Sequence, residues 1–243
     1  MTVPATSPGV AAFFSPLGDH AVTITVGDSI DEATHRRVRA ISAALDSHDI
    51  AGVVDQVPGF ASLVVHYDPE RVAGDEDEPP YERLVSSLTD LLAHVGDETL
   101  PPTRTKEIPV CYGGELGPDL DDVARQHQMS TSNVIEIHTA GDYLVYMVGF
   151  MPGFAYLGGL DERLVTPRRT SPRTAVPAGT VGIGGQQTGV YPLVSPGGWN
   201  LIGKTPVKIF DIAREEPTLL VTGDRVRFRP ISRAQFDHAG GGG

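Results

Sequence analysis

Apolar positions along the first hundred residues switch between two periods. Ala21–Val26 is a short run rich in β-branched residues and reads as a strand. Ile30, Thr34, Val38, Ile41 and Leu45 then recur at helical spacing behind Asp28-Ser29, which predicts a capped helix. Val53–Val57 and Ser62–Tyr67 read as two strands of a hairpin that turns at Pro58-Gly59. Tyr81, Leu84, Val85, Leu88, Leu91, Leu92 and Val95 form one apolar stripe and predict a second helix. Lys106–Tyr112 supplies a closing strand. The order is βαββαβ, a ferredoxin-like α+β domain.

Past Tyr112 the pattern changes. Asp119 heads a short helix with Leu120, Val123, Ala124 and His127 on one face, and Ser130 heads another carrying Val134, Ile135 and His138. From Tyr143 onward the chain is β-like: Tyr143–Phe150, Thr180–Ile183, Val190–Val194, Val207–Ile212, Leu219–Val221 and Arg225–Arg229, with Gly223-Asp224 as a tight hairpin turn. Many short strands between turn residues point to a closed or nearly closed barrel. No repeat of fixed period is present, and His238–Gly243 reads as a disordered tail.

Charge sharpens the division. The 243 residues carry a formal charge of −12. Residues 1–100 hold 17 acids and 5 bases, whereas residues 101–243 hold 14 of each. The expected domains are therefore 1–100, acidic α+β, and 101–243, the barrel. Their boundary lies within about ten residues of Pro101-Pro102, a stiff extended connector, and 106–112 pairs with the first domain if the βαββαβ order holds. The acid run Asp75–Glu78 reads as a solvated loop, less readily as a docking surface for a basic partner. An acidic chain of this kind is not expected to bind nucleic acid. No apolar run approaches the ~18–20 residues of a membrane span. No Lys or Arg precedes Arg36, so a secretory signal is not expected and a cytoplasmic location is.

Candidate chemistry concentrates between Gly149 and Gly203, where 55 residues include 12 Gly and 6 Pro. Phe150, Phe154, Tyr156, Tyr191 and Trp199 punctuate this window, as do Arg168, Arg169 and Arg173. Close backbone approach, ring walls and guanidinium forks are what a loop-built pocket for an anion requires. The plainer reading, equally open, has the glycines turning barrel corners and the arginines pairing with surface acids. Gly198–Thr205 fits the pattern G-x-x-x-x-G-K-[ST], but a phosphate loop needs a preceding strand and a following helix. Here Pro206 and the strand-like Val207–Phe210 follow, so a true phosphate loop is not expected; Lys204 remains a candidate phosphate contact.

Other constellations are sparse. The single cysteine, Cys111, excludes an internal disulfide and a cysteine-built zinc cage, and its apolar strand pattern reads as buried. The eight histidines include no H-E-x-x-H and no close pair, so no metal site is expected, and His138 reads as a core or helix-end residue. Ser195 lies in Ser-Pro-Gly-Gly, not in a nucleophile elbow. Glu115, Asp119 and Asp142 are explained by capping and turns. The residues alone name no catalytic group.

Several runs together resemble the KipI / allophanate hydrolase subunit 1 family. They are Gly149–Gly159 (GFMPGFAYLGG), Pro167–Arg169, Pro172-Arg173, Val176–Pro192 (VPAGTVGIGGQQTGVYP), Ser195–Trp199 (SPGGW) and Ile202–Pro206 (IGKTP). Upstream, Pro58–Pro69 and Cys111–Leu120 match in the same order, so the resemblance spans about residues 15–232. It implies a small α+β domain followed by a cyclophilin-like barrel. It also implies the B subunit of an ATP-dependent 5-oxoprolinase, which opens 5-oxo-L-proline to L-glutamate. The implied partners are two further proteins, one resembling allophanate hydrolase subunit 2 and one LamB/YcsF-like, with ATP and magnesium used at the level of the complex. The same region resembles part of the carboxyltransferase domain of urea carboxylase, and some relatives inhibit a histidine kinase instead.

Physical reasoning then selects residues within that frame. Arg168, Arg169 and Arg173 are the candidates for anionic groups. Gln186, Gln187 and Tyr191 are candidate neutral groups lining a cleft of the barrel, with Phe154, Tyr156 and Trp199 as its apolar walls. Core packing is the competing reading of the aromatics. For the glycine-rich loops it is docking of the partner that resembles allophanate hydrolase subunit 2.

Overall fold

The computed structural model describes residues 3–4, 12–75, 77–95, 100 and 103–240. Contacts within the chain separate two compact units, Met1–Pro102 and Thr103–Gly243.

In the first unit, strands β1 (Val3–Pro4), β2 (Phe13–Pro16) and β3 (Ala21–Thr25) precede helix α1 (Glu32–Ser47). The hairpin β4 (Val53–Pro58) and β5 (Ser62–Tyr67) and helix α2 (Pro80–Leu92) follow. The sheet runs β1-β2-β3-β5-β4 and is antiparallel throughout. Val38, Ile41 and Leu45 of α1 and Leu84, Leu88 and Leu92 of α2 share a core with Phe14, Ile24, Leu63 and Val65 of the sheet. Both predicted helices and the hairpin are present, with Gly59 donating its N–H to the Ser62 carbonyl across the turn. Helix α1 starts later than Asp28-Ser29 suggests. Asp31 is the cap, its Oδ1 accepting from the Thr34 N–H at 2.8 Å, which leaves Ile30 outside the helix and exposed.

The βαββαβ order is not what forms. The place beside β3 that a closing strand would take is filled from the other direction, by β2. Lys106–Tyr112 belongs instead to the second unit, as the body of strand β6 (Thr105–Tyr112). Asp75, Asp77 and Glu78 are exposed, as a solvated loop requires, and Glu76 lies outside the described residues. So do Gly96–Thr99 and Pro101-Pro102, where the connector is expected.

The second unit is a closed seven-stranded barrel. After β6 come helices α3 (Leu120–Gln126) and α4 (Thr131–Ala140), strands β7 (Tyr143–Val148) and β8 (Ala155–Gly158), and β9 (Arg173–Val176). Then follow β10 (Thr180–Gly184), β11 (Gln187–Val190), β12 (Ser195–Gly197), β13 (Asn200–Lys204), β14 (Arg225–Pro230) and helix α5 (Arg233–Gly240). The barrel order is β10-β11-β8-β7-β14-β6-β13, and β9 and β12 form a separate two-stranded ribbon. Only the β6–β14 pair among the barrel strands is parallel. Ile108, Val145, Leu157, Val181, Ile183, Ile202 and Phe228 fill the interior, and Leu120, Val123 and Val134 of the two predicted helices join them.

Three expectations fail here for identifiable reasons. Val207–Ile212 and Leu219–Val221 are irregular, linked by one isolated bridge between Phe210 and Thr218. Their apolar alternation has another origin: Ile209 and Leu220, each 1% exposed, reach from a crossing loop into the barrel core. Gly223-Asp224 therefore turns no hairpin. Asp224 is buried, its two oxygens accept from Arg104 Nε and Nη2 at 3.0 Å each, and the Val221 N–H donates to it at 3.0 Å. Finally, His238–Gly240 is helical as the end of α5, and 241–243 lie outside the described residues.

Candidate functional site

Alternation along β10 and β11 builds the site. Val181, Ile183 and Val190 point into the core, while Gly182, Gly184 and Gly189 take the intervening positions on the outer wall. Successive strand residues face opposite sides, so these glycines leave a patch of bare backbone outside the barrel. The Trp199 indole lies on that patch: a Cβ on Gly184 would fall inside the ring's own volume, and one on Gly189 would meet it at 3.1 Å. Around the indole, Phe154, Val176, Tyr191 and Leu201 form a second apolar cluster, distinct from the core, with Met151 and Tyr156 packed against it. Phe154 meets Tyr156, Tyr191 and Trp199 edge to face at centroid distances of 4.9, 5.4 and 5.4 Å. That geometry sets the positive ring edge against the negative face.

The cluster floors a cleft of about 290 Å³, walled by Phe150, Arg168, Arg169 and Pro172 and by Pro196–Gly198. The cleft is thus outside the barrel, not within it. The Arg168 guanidinium stands 6.0 Å over the Trp199 ring, a cation–π placement. Phe150, at the mouth, is 64% exposed and holds the left-handed φ of 69°, which bulky side chains seldom adopt. It leans edge-on against Phe154 at 5.5 Å.

Charge at the cleft is organised by Asp119, which is 3% exposed. Its Oδ1 accepts from Arg169 Nη1 at 3.1 Å and from Arg173 Nη2 at 2.7 Å. Its Oδ2 accepts from the Leu201 N–H at 2.7 Å, and the Asp119 N–H donates back to the Leu201 carbonyl at 2.9 Å. The Arg169 N–H also donates to the Gly198 carbonyl at 2.7 Å, fastening the arginine loop to the cleft wall. Asp119 stands at the start of α3 but makes no side-chain cap, which corrects the expectation that capping explains it. Arg169 Nε and Arg173 Nη1 are buried and have no acceptor among the described residues. One carboxylate thus faces two guanidiniums and leaves buried donors over.

Of the sequence-selected residues, Phe154, Tyr156, Trp199, Tyr191, Arg168 and Arg169 come together in the cleft, and Arg173 joins through Asp119. Burial pushes the Tyr191 phenol up. Gln186 sits exposed at the β10–β11 turn, Gln187 half-buried beside it, and Lys204 at the far end of β13 from Trp199; none lines the cleft. Gly198–Thr205 runs through β13 itself and no helix follows, so the phosphate-loop pattern lacks the helix that would supply its amides. Sequence reasoning missed Asp119 as an organiser, because 50 and 54 residues separate it from its arginines.

In the barrel core the polar groups are matched. Fully buried His138 stacks on Phe228 with centroids 4.7 Å apart. Thr188 Oγ1 donates to the Gly182 carbonyl at 3.0 Å and so accepts from His138 Nε2 at 2.9 Å. The bare Nδ1 then accepts from the Tyr112 hydroxyl at 2.8 Å. Burial pushes His138 down to about 3, keeping it neutral. Cys111 is buried and its thiol is pushed up by burial. Asp142 pairs with Arg227 at 2.9 Å and Glu115 approaches Arg233 at 3.8 Å, both near the surface. Among the described residues no three His, Cys, Asp or Glu side chains gather as metal ligands would, and no helix is long and apolar enough to cross a membrane.

This barrel unit and its companion define a known class. Residues 12–220 match the family model "Carboxyltransferase domain, subdomain C and D", and the chain belongs to that family. Within it, the chain is similar to proteins named as the B subunit of 5-oxoprolinase. The Bacillus subtilis one is 45% identical over 223 residues, covering 90% of this chain and 93% of the relative. The Escherichia coli O157:H7 one is 44% identical over 215 residues, covering 88% and 94%. Among solved structures, TTHA0988 is 38% identical with a TM-score of 0.75, over 87% of this chain and 40% of that longer one. The chain therefore spans two fifths of that protein but nearly all of its curated relatives.

Proposed function

We propose that the chain is the B subunit of an ATP-dependent 5-oxoprolinase, a non-autonomous part of a hydrolase of cyclic amides. The reaction is 5-oxo-L-proline, ATP and two waters giving L-glutamate, ADP, phosphate and a proton. The chain would act with one partner resembling allophanate hydrolase subunit 2 and another that is LamB/YcsF-like. The observation carrying this reading is identity of 43–45% to three relatives named as that subunit, over 88–90% of this chain. The site agrees with a shared role: it offers binding groups but no nucleophile–base pair of its own. Opening a lactam at the expense of ATP requires a place for the substrate and a place for the nucleotide. The run that looks like a phosphate loop lies on a strand, so no nucleotide contact is assigned to this chain.

The test is reconstitution. Purified with its two partners, the chain should support glutamate release that depends on ATP. Release no greater than that of the partners alone would overturn the reading.

A further inference from the structure

We infer that the outer-wall cleft is the seat of a small cyclic carboxylate, with Arg168 taking the carboxylate and Trp199 and Phe154 the ring; this rests on the 5-oxoprolinase reading for the ligand's identity. Three observations converge. The first is size. At about 290 Å³ the cleft lies at the small end of ligand pockets, about 300–1,000 Å³, which suits a single five-membered ring rather than a nucleoside triphosphate.

The second is the distribution of charge. Arg169 and Arg173 are held by Asp119, whereas Arg168 has no ion-pair partner among the described residues and still lines the cleft. Asp119 carries one negative charge against two positive neighbours, so this side of the cleft keeps a positive excess before Arg168 is counted. A planar guanidinium receives a carboxylate through two parallel N–H···O bonds, and such charge-assisted bonds are about twice as strong as neutral ones.

The third is the floor. Trp199 and Phe154 are 5% and 2% exposed and already locked edge to face, so ring contact costs little further ordering. A ligand with one anionic group beside a compact, weakly polar ring matches the surface of arginine above indole. The Tyr191 phenol, also lining the cleft, offers the lactam a hydrogen-bonding group. 5-Oxo-L-proline has this form: a lactam ring with one carboxylate on the adjacent carbon. Asp119 is then a positioning residue, fixing Arg169 and the Gly198 wall so that Arg168 stays over the indole.

Trp199 is the chain's single tryptophan, so its emission reports on the cleft directly. Titrating the full chain with 5-oxo-L-proline should change that emission saturably. The midpoint should rise at least tenfold for 2-pyrrolidinone, which keeps the ring and lacks the carboxylate, and at least tenfold for Arg168→Ala with the natural ligand. In the reconstituted complex, Arg168→Ala should raise KM for 5-oxo-L-proline at least tenfold, with kcat changed less. A saturable response that is equal for 2-pyrrolidinone or for Arg168→Ala overturns the proposal. So does no response at any soluble concentration, or an unchanged KM. If the wild-type complex releases no glutamate, the functional reading falls while the titration still decides the cleft.

Discussion

The barrel unit contains two polar centres built on opposite plans. In the core, His138, Tyr112 and Thr188 are neutral, and each donor in the chain from Tyr112 to the Gly182 carbonyl has its acceptor. On the outer wall, Asp119 holds Arg169 and Arg173, and buried guanidinium nitrogens are left over. A saturated neutral network rigidifies a core and has nothing to offer a ligand. A charged centre with spare donors has capacity for a further anion. Burial alone does not separate the two, since His138 and Asp119 are both nearly sealed from solvent; saturation does.

The largest effect expected from breaking this contrast is at Asp119. Asp119→Ala leaves two partly buried guanidiniums without their counter-charge and the Leu201 N–H without its acceptor. Losing one partner of a buried ion pair costs 3–5 kcal/mol, and partial exposure of both arginines puts this case at about 3. Urea unfolding measures it, and a loss below about 1 kcal/mol would show that the wall does not depend on the charge.

The core centre should respond to pH instead. Folded His138 stays neutral down to about 3, whereas the unfolded residue takes up a proton near 6.5. The unfolded state then binds more protons on acidification, so this residue's contribution is intact above pH 6.5 and falls as pH drops towards 3. The slope is at most about 1.4 kcal/mol per pH unit, or about 2 kcal/mol lost at pH 5. His138→Leu should remove that part of the difference in unfolding free energy between about pH 7.5 and pH 5. An unchanged difference would mean that the imidazole is hydrated and charged in the fold.

Gly184→Ala tests the bare wall on which the charged centre rests. Its Cβ collides with the indole, so Trp199 must move, at about 1–3 kcal/mol for overpacking. Tryptophan emission should shift to the red while far-UV circular dichroism is retained; an unshifted spectrum would place the indole elsewhere. Smallest of all, Glu107→Gln breaks an Arg229 pair of 2.7 Å between side chains that are both more than half exposed. It should change stability by less than about 0.5 kcal/mol, because water screens such pairs.

Local pattern carries the helices well. The stripe of α2 and the Ser130 cap of α4, whose Oγ accepts from the Asn133 N–H, are visible because helical contacts are near in sequence. Strand pairing is not near in sequence, and there the pattern misleads in two ways. Lys106–Tyr112 is a sound strand whose partner is chosen far away, and Val207–Ile212 has a strand's alternation without a ladder. The aromatic and arginine members of the cleft stand out by type, though their location outside the barrel follows only from which face each strand turns inward. Asp119 looks like any helix-heading aspartate. The glycines at 182, 184 and 189 are visible as composition, but their alternation with Val181, Ile183 and Val190 is the more informative fact. It specifies one face to fill and one to leave empty.

The seam between β6 and β14 has a consequence in time. These strands pair in parallel, Thr105 opposite Arg225 through Val110 opposite Pro230, and Arg104 grips Asp224 just ahead of them. The first and last strands of the barrel are therefore neighbours, with all its other strands between them in the chain. Synthesis from the N-terminus exposes β6 early, and it must wait until Arg225–Pro230 has left the ribosome. Until then β6 and β7 each present an unpaired edge, the kind of edge that captures strands of other chains. Closing so long a loop is also slow, because its entropy is lost before the pairing is gained. A nascent chain stalled before Arg225 would be a sticky, open sheet, and the last strand is the latch that makes it a barrel.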